Sequence, residues 1–321
     1  MAELKLWVLN PPAASILGLL EQLPPETHIV TGNTGEAFAT APLPDVVFIG
    51  FGQGGLAEQM WDRVQHAKWV HSLAAGLENV LFPALVESPA PMTNSKGVFA
   101  RSLGEFTIAA ALYFAKDFRR MMKSQEAGVW DPFDVEELTG KTLGIVGYGG
   151  IGREAAKRAV AMGMRVIALR RNPANSSGDA LISQSHGPDG IGELLAASDY
   201  VLVSAPNTAA TRGLIGEAQL RRMKKSAVLI NVGRGPVIVE SALIQALEQG
   251  WIRGAALDVF DVEPLPAGHA FYRLPNVLLS PHCADHTPGW IEESMQFFVD
   301  NFLRFHRGEA LMNLVDKQAG Y

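Results

Sequence analysis

The amino-acid sequence predicts an α/β protein made of two doubly wound units with parallel sheets. Three observations lead there. Short apolar runs alternate with helical patterns along the 321 residues. The runs are continuously apolar rather than alternating, as in parallel strands covered by helices on both faces. The strand, glycine turn, helix pattern G-x-G-x-x-G occurs twice, at Gly50, Gly52 and Gly55 and at Gly147, Gly149 and Gly152. Such a turn is the mark of a Rossmann-like unit.

In chain order, the first unit reads as strands in "LKLWVLN", "DVVFIG" and "KWVHSL". Residues 100 to 128 read as one long amphipathic helix closed by Gly128. The second unit follows with "TLGIVG", "RVIAL", "YVLVSAP", "AVLINVG", "GAALDVF" and "NVLLSP". The stretch "GWIEESMQFFVDNFLRFHRGEALMNLVD" reads as a last helix with an apolar stripe. No solenoid-length repeat and no low-complexity tract interrupts the pattern.

Composition narrows the function classes. The chain is 48% hydrophobic, enough for two cores. Its net charge is −6 and it has no long basic run, which argues against nucleic acid as a partner. Cys283 is the single cysteine, so no intrachain disulfide can form and a reducing compartment is expected. "MAELKLWVLNPP" lacks the basic-then-apolar order of a signal peptide, and no apolar run nears the roughly 18 residues of a membrane span. A cytoplasmic protein with no membrane partner is the expectation.

Of the two glycine motifs, the second is expected to hold a dinucleotide. A working site needs a strand before the turn, a helix opening at its end, and a second strand ending in a ribose-reading residue. "WVHSL", downstream of Gly50, ends in no such group. The first motif is then either a tight strand–helix turn or a flexible loop at a substrate cleft. At the second, Gly147, Tyr148, Gly149, Gly150, Ile151 and Gly152 would surround the pyrophosphate at a helix N-terminus. Where an acid commonly receives the ribose hydroxyls, "VIALRRNPANSSG" carries Arg170, Arg171 and Asn172. An acid there repels a 2′-phosphate, whereas a guanidinium pairs with it. One charge-assisted hydrogen bond of roughly 1.5–3 kcal/mol favours NADPH over NADH by about 10- to 100-fold. NADPH is therefore the expected cofactor, with NADH possible. The alternative is two solvated surface arginines.

Three later apolar runs end in chemistry-bearing groups: Arg234 in "AVLINVGRGPVI", Glu263 in "GAALDVFDVEPLP" and His282 in "NVLLSPHCADHTPGW". Ligands of open α/β sheets bind beyond the carboxyl ends of strands, so the three can converge. A metal at His282, Cys283, Asp285 and His286 is not expected, because Pro281 and Pro288 disfavour the helix that would align them.

The segments "LTGKTLGIVGYGGIG", "LINVGRGPVIVESALIQALEQGWIRGAALDVFDVEP" and "LLSPHCADHT" together resemble the D-isomer-specific 2-hydroxyacid dehydrogenases, and the resemblance covers nearly the whole chain. It implies a discontinuous substrate domain, 1–101 with 285–321, a Rossmann domain at 102–284, and an active site in the cleft between them. It also implies a homodimer. By the same resemblance Arg234 holds the substrate carboxylate and polarises the 2-oxo group. His282 is the acid–base group, and Glu263 supports its imidazole. Asp258 lies near the nicotinamide. Ala205, Pro206, Val232, Gly233 and Ala284 line the cofactor. In "HSLAAGLENV" the N–H groups of Ala75 and Gly76 bind the carboxylate. Trp130 and Trp290 either shape the substrate pocket or pack ordinarily.

The arginine pair is similar to that of the NADPH-dependent glyoxylate/hydroxypyruvate reductase branch, so a small 2-oxo or 2-hydroxy acid is the expected substrate. Glu263 argues against the formate-oxidising branch, which lacks it. Left open are a nucleotide-sensing, corepressor-like binding protein on the same fold, and other acid substrates such as phosphite or 3-phosphoglycerate.

Overall fold

The computed structural model describes residues 3–176 and 178–321, and it divides the chain into two compact units. One comprises the residues up to Val98 together with Pro288–Tyr321; the other is Phe99–Thr287.

The first unit holds β1 (Lys5–Leu9), β2 (His28–Gly32), β3 (Val46–Ile49), β4 (Trp69–Ser72) and β5 (Met92–Asn94). They form one parallel sheet in the order β2-β1-β3-β4-β5. Every residue of β3 and β4 is buried, which explains the unbroken apolar run of β3, whereas β4 ends in the buried polar pair His71 and Ser72. One face packs Trp7, Leu9, Val47 and Ile49 against Leu56, Leu77 and Leu85. The other packs Leu6, Val8, Phe48 and Trp69 against Met295, Phe298 and Phe302 of the helix Trp290–His306. The chain's last helix thus closes the core that its first strand opens.

The second unit holds β6 (Thr142–Val146), β7 (Arg165–Leu169), β8 (Gln184–His186), β9 (Tyr200–Val203), β10 (Val228–Asn231), β11 (Gly254–Leu257) and β12 (Val277–Leu279). Their order is β12-β11-β10-β9-β6-β7-β8, again all parallel. The strand order reverses between β6 and β9, and a crevice at such a reversal is where open sheets bind ligands. The helix Gly150–Ala161 follows β6 and packs closely on Ala100–Ala115. A Cβ on Gly104 would lie 3.0 Å from the Glu154 backbone, so glycine there permits the approach.

One expectation is corrected. Residues 100–128 form two helices, Ala100–Ala115 and Phe118–Glu126, not one. Asp117 takes a left-handed conformation (φ 50°), and its side chain caps the second helix by accepting from the Arg120 N–H. The apolar periodicity runs on across the break, but an aspartate is a natural N-cap and tolerates this backbone better than most residues. The last helix also ends at His306, short of the full stretch read from the sequence.

Candidate active site

In the seven-stranded unit the glycine-rich turn lies at the strand-order reversal. Gly147 has φ +95°, and a Cβ on it would lie 2.6 Å from the Ala205 N at the end of β9. A Cβ on Gly152 would lie 2.9 Å from Ile145, so helix and strand approach only through glycine. Gly149 differs: it is exposed, and the space a side chain would occupy is open. It caps the helix Gly150–Ala161, with Ile151 in the first turn, and so presents backbone N–H groups to that open space. Across the crevice, Ala205 and Pro206 follow β9, and Asn207 Oδ1 is buried without a partner among the described residues. An open cradle, a helix N-terminus and an orphaned polar atom fit a dinucleotide.

Tyr148 lies in the same turn and is buried. Its hydroxyl donates to Asp179 Oδ2 at 2.9 Å, with Arg153 Nε 3.5 Å from the same oxygen. Burial and then the Asp179 carboxylate push the phenol pKa up, so it remains a donor. Hydrogen bonds from the Leu181 N–H first, and then from Tyr148, hold Asp179 below the usual carboxylate range against the opposing effect of burial. This network ties the glycine turn to the loop after β7. That loop begins with Arg170, half-buried and donating to Ser176 Oγ at 3.0 Å, and with the exposed Arg171 and Asn172. Asn172 Oδ1 accepts the Ala174 N–H.

Three adjacent strand ends carry the reactive groups. Arg234 follows β10, and the Asn231 side chain brackets it, donating to the Arg234 carbonyl at 3.1 Å and accepting the Gly233 N–H at 3.1 Å. Val232 donates its N–H to the Val203 carbonyl. Arg234 Nη1 donates to the Gly233 carbonyl at 2.7 Å, which directs the guanidinium. Gly235 touches the backbone of Phe260 and Asp261 so closely that a Cβ would lie 2.0 Å from Phe260 C. Glycine here draws the Arg234 loop against the loop that bears Glu263.

Glu263 Oε1 accepts the Phe260 N–H at 2.9 Å, and Oε2 lies 2.6 Å from His282 Nδ1. A carboxylate only accepts, so Nδ1 carries the hydrogen and Nε2 faces away from Glu263. The Glu263 hydrogen bond raises the His282 pKa above its ordinary value, outweighing burial and the nearby Arg234 charge. Burial pushes Glu263 the other way, but hydrogen bonds from His282 and Phe260 bring its carboxyl below its ordinary value. His282 is 45% exposed and adopts φ +52°, so its ring is held at the surface by its partner and not by burial.

Asp258, at the end of β11, is 1% exposed. Its Oδ1 accepts from Ser280 Oγ (2.5 Å) and from the N–H groups of Cys283 (3.0 Å) and Ala284 (3.1 Å). Ser102 Oγ meanwhile donates to the Ala284 carbonyl at 2.6 Å. Asp258 therefore holds the histidine loop from behind, and both backbone polar groups of Ala284 are engaged inside the unit. Asn231, Ser280, Ser102 and Asp179 were not singled out from sequence. All four act through non-local hydrogen bonds that no spacing reveals. Among the described residues no group of three or more His, Cys, Asp or Glu side chains is placed to hold a metal ion.

In the five-stranded unit, Ala75 and Gly76 lie in the loop after β4 and are partly buried. Gly50 ends β3 at the β1/β3 reversal, where a Cβ would lie 2.2 Å from Asn10 Oδ1. Trp290 sits 5.5 Å, ring to ring, from Phe51. Trp130, in the other unit, is 95% exposed.

A dinucleotide crevice beside a carboxylate-supported histidine and an arginine defines a hydride-transferring oxidoreductase. The sequence profile of the D-isomer specific 2-hydroxyacid dehydrogenase NAD binding domain matches residues 108–284. A glyoxylate reductase of Korarchaeum cryptofilum is 33% identical over 269 residues, covering 81% of this chain and 79% of the relative. A D-3-phosphoglycerate dehydrogenase of Methanocaldococcus jannaschii is 30% identical over 97% of this chain, which spans 59% of that relative. The crystal structure of a D-isomer specific 2-hydroxyacid dehydrogenase from Xanthobacter autotrophicus Py2, in complex with NADPH and MES, superposes with a TM-score of 0.84 at 28% identity, covering both chains completely. The chain belongs to the D-isomer-specific 2-hydroxyacid dehydrogenase family and is an NAD(P)-dependent oxidoreductase acting between 2-oxo and 2-hydroxy acids. Among the described residues no helix is long and apolar enough to cross a membrane.

The dyad makes a pH prediction. Were His282 the proton donor for reduction, it would have to be protonated. The reductive rate should hold at low pH and fall as pH rises through the raised pKa, and oxidation should show the opposite limb. Glu263→Gln keeps the side-chain shape but replaces the carboxylate whose hydrogen bond, and then whose charge, raises the His282 pKa. The reductive limb of log kcat/KM should move to lower pH, with a severalfold loss at pH 8 and less at pH 6. A limb that stays in place would assign the titration to another group.

Proposed function

We propose that the protein reduces a small 2-oxo acid of the glyoxylate and hydroxypyruvate class to its D-2-hydroxy acid, with NADPH preferred over NADH. The observation that carries this reading is the 2.6 Å contact between His282 and Glu263 beside Arg234 at adjacent strand ends. Gly147, Tyr148, Gly149, Gly150, Ile151 and Gly152 hold the cofactor pyrophosphate. Ala205, Pro206, Val232, Gly233 and Ala284 line the cofactor from the neighbouring strand ends, with Asp258 behind them. When bound, the nicotinamide supplies the hydride that adds to the carbonyl carbon. The Arg234 guanidinium binds the substrate carboxylate and polarises the 2-oxo oxygen. The Ala75 and Gly76 N–H groups bind substrate carboxylate as well. His282 Nε2–H donates its proton to the carbonyl oxygen as charge develops there. The ring is left neutral with Nδ1–H on Glu263, and the proton returns from solvent.

The cofactor preference rests on the missing acid after β7. Arg170 and Arg171 present cationic groups to a 2′-phosphate, while Ser176 fixes one of them. Arg170→Asp with Arg171→Ala should raise KM for NADPH by roughly 10- to 100-fold and leave KM for NADH nearly unchanged. Equal losses with both cofactors would rule out the arginines as phosphate readers.

Glyoxylate reductase relatives favour a small substrate over 3-phosphoglycerate. Initial rates with NADPH across glyoxylate, hydroxypyruvate, pyruvate, phenylpyruvate and 3-phosphohydroxypyruvate test this. Fastest turnover with the two smallest supports it, and tight NADPH binding without any turnover favours a nucleotide-sensing role. A homodimer belongs to the same reading. Phe118, Met121, Met122, Val129 and Trp130 are all at least 40% exposed, an apolar surface suited to a second copy.

A further inference from the structure

We propose that Asn94, assisted by Ser72, is a positioning residue that aims the backbone N–H groups of Ala75 and Gly76 at the substrate carboxylate. The inference rests on the carboxylate-binding role given to that loop above.

Ser72 and Asn94 are register partners on neighbouring strands, the last residues of β4 and β5. Both are almost wholly buried. Ser72 Oγ donates to the Ala74 carbonyl at 3.2 Å, and Asn94 Nδ2 donates to the Ala75 carbonyl at 2.6 Å. The amide is held in this sense because its Oδ1 accepts the Lys96 N–H at 3.3 Å. The backbone around Asn94 is braced in turn by Asn313 Nδ2, which donates to the Asn94 carbonyl at 3.3 Å and to the Lys96 carbonyl at 2.5 Å.

A peptide group is planar, with its C=O and the next residue's N–H pointing oppositely. Holding the Ala74 carbonyl therefore aims the Ala75 N–H, and holding the Ala75 carbonyl aims the Gly76 N–H. Among the described residues neither N–H has a hydrogen-bond partner in the unit, and neither does that of Ala74. Successive free N–H groups form a concavity that suits a small anion. Gly76 makes the clamp necessary. Without a Cβ, the peptide between Ala75 and Gly76 can flip at little steric cost, and that would turn a carbonyl oxygen toward the anion. An amide suits the position, because a carboxylate there would repel the Ala75 carbonyl.

The test is steady-state kinetics of Asn94→Asp and Ser72→Ala with glyoxylate and NADPH, together with oxalate inhibition and thermal melting. Asn94→Asp should raise KM for glyoxylate and Ki for oxalate in parallel, on the order of 10- to 100-fold, the loss of a charge-assisted hydrogen bond. KM for NADPH should stay within about twofold, since the dinucleotide crevice is untouched. Ser72→Ala should show the same pattern more weakly, and it decides the matter if Asn94→Asp does not fold. An unchanged glyoxylate KM, or equal rises for glyoxylate and NADPH with a lowered Tm, would overturn the proposal. Wild-type enzyme inactive on every 2-oxo acid would overturn it through the reading on which it rests. Active wild-type with unaffected variants would overturn the clamp alone.

Discussion

His282→Asn should lower kcat for reduction by roughly 10²- to 10⁴-fold, the range for loss of a positioned general acid, while NADPH still binds. Asparagine is the informative replacement. The residue has φ +52°, and asparagine tolerates the left-handed region better than most side chains. The loop is also anchored independently of the ring, through Asp258 Oδ1 and the N–H groups of Cys283 and Ala284. Asparagine can still meet Glu263 but cannot exchange a proton near neutral pH. The variant should therefore lose the pH dependence that Glu263 imposes on the wild type. Fluorescence titration of NADPH with single-turnover rates checks this. A variant within tenfold of wild type would assign the proton to another group.

Arg234→Lys should lower kcat/KM by roughly 10²- to 10⁴-fold, because two charge-assisted hydrogen bonds are worth about 1.5–3 kcal/mol each. Lysine retains the charge but not the planar fork that grips a carboxylate through two parallel bonds. Its backbone setting should survive, since Asn231 bonds the Arg234 carbonyl. The split between the constants is diagnostic. A guanidinium that only binds carboxylate raises KM at constant kcat, whereas one that also polarises the 2-oxo oxygen lowers kcat as well. We expect both. A change in NADPH affinity alone would place Arg234 with the cofactor.

The two substitutions probe groups that the sequence exposes readily and a geometry that it does not. The strands of the two sheets are legible where they are buried and apolar. β2, β5 and β8 are not. β2 has only one buried residue, β8 is polar, and β5 is three residues long. Both β2 and β8 lie at sheet edges, where solvent relaxes the demand for apolar side chains. The break at Asp117 escapes for a related reason: hydrophobic periodicity reports which face is buried, not where the backbone turns.

The fold class, the glycine turn proposed to hold the nucleotide, and the candidates Arg234, Glu263 and His282 were legible in the sequence, because each depends on residue type within a local pattern. The orientations and hydrogen-bond partners of those groups come from the packed structure. It aims His282 Nδ1 at Glu263, turns Asp258 inward to hold the histidine loop, and ties Tyr148 to Asp179 across 31 residues. It also sets Ser72 beside Asn94 on adjacent strands. The physical reason is that hydrogen bonds are directional and short. Their partners are chosen by which strand ends the sheet order brings together, and that order is a property of the packed whole.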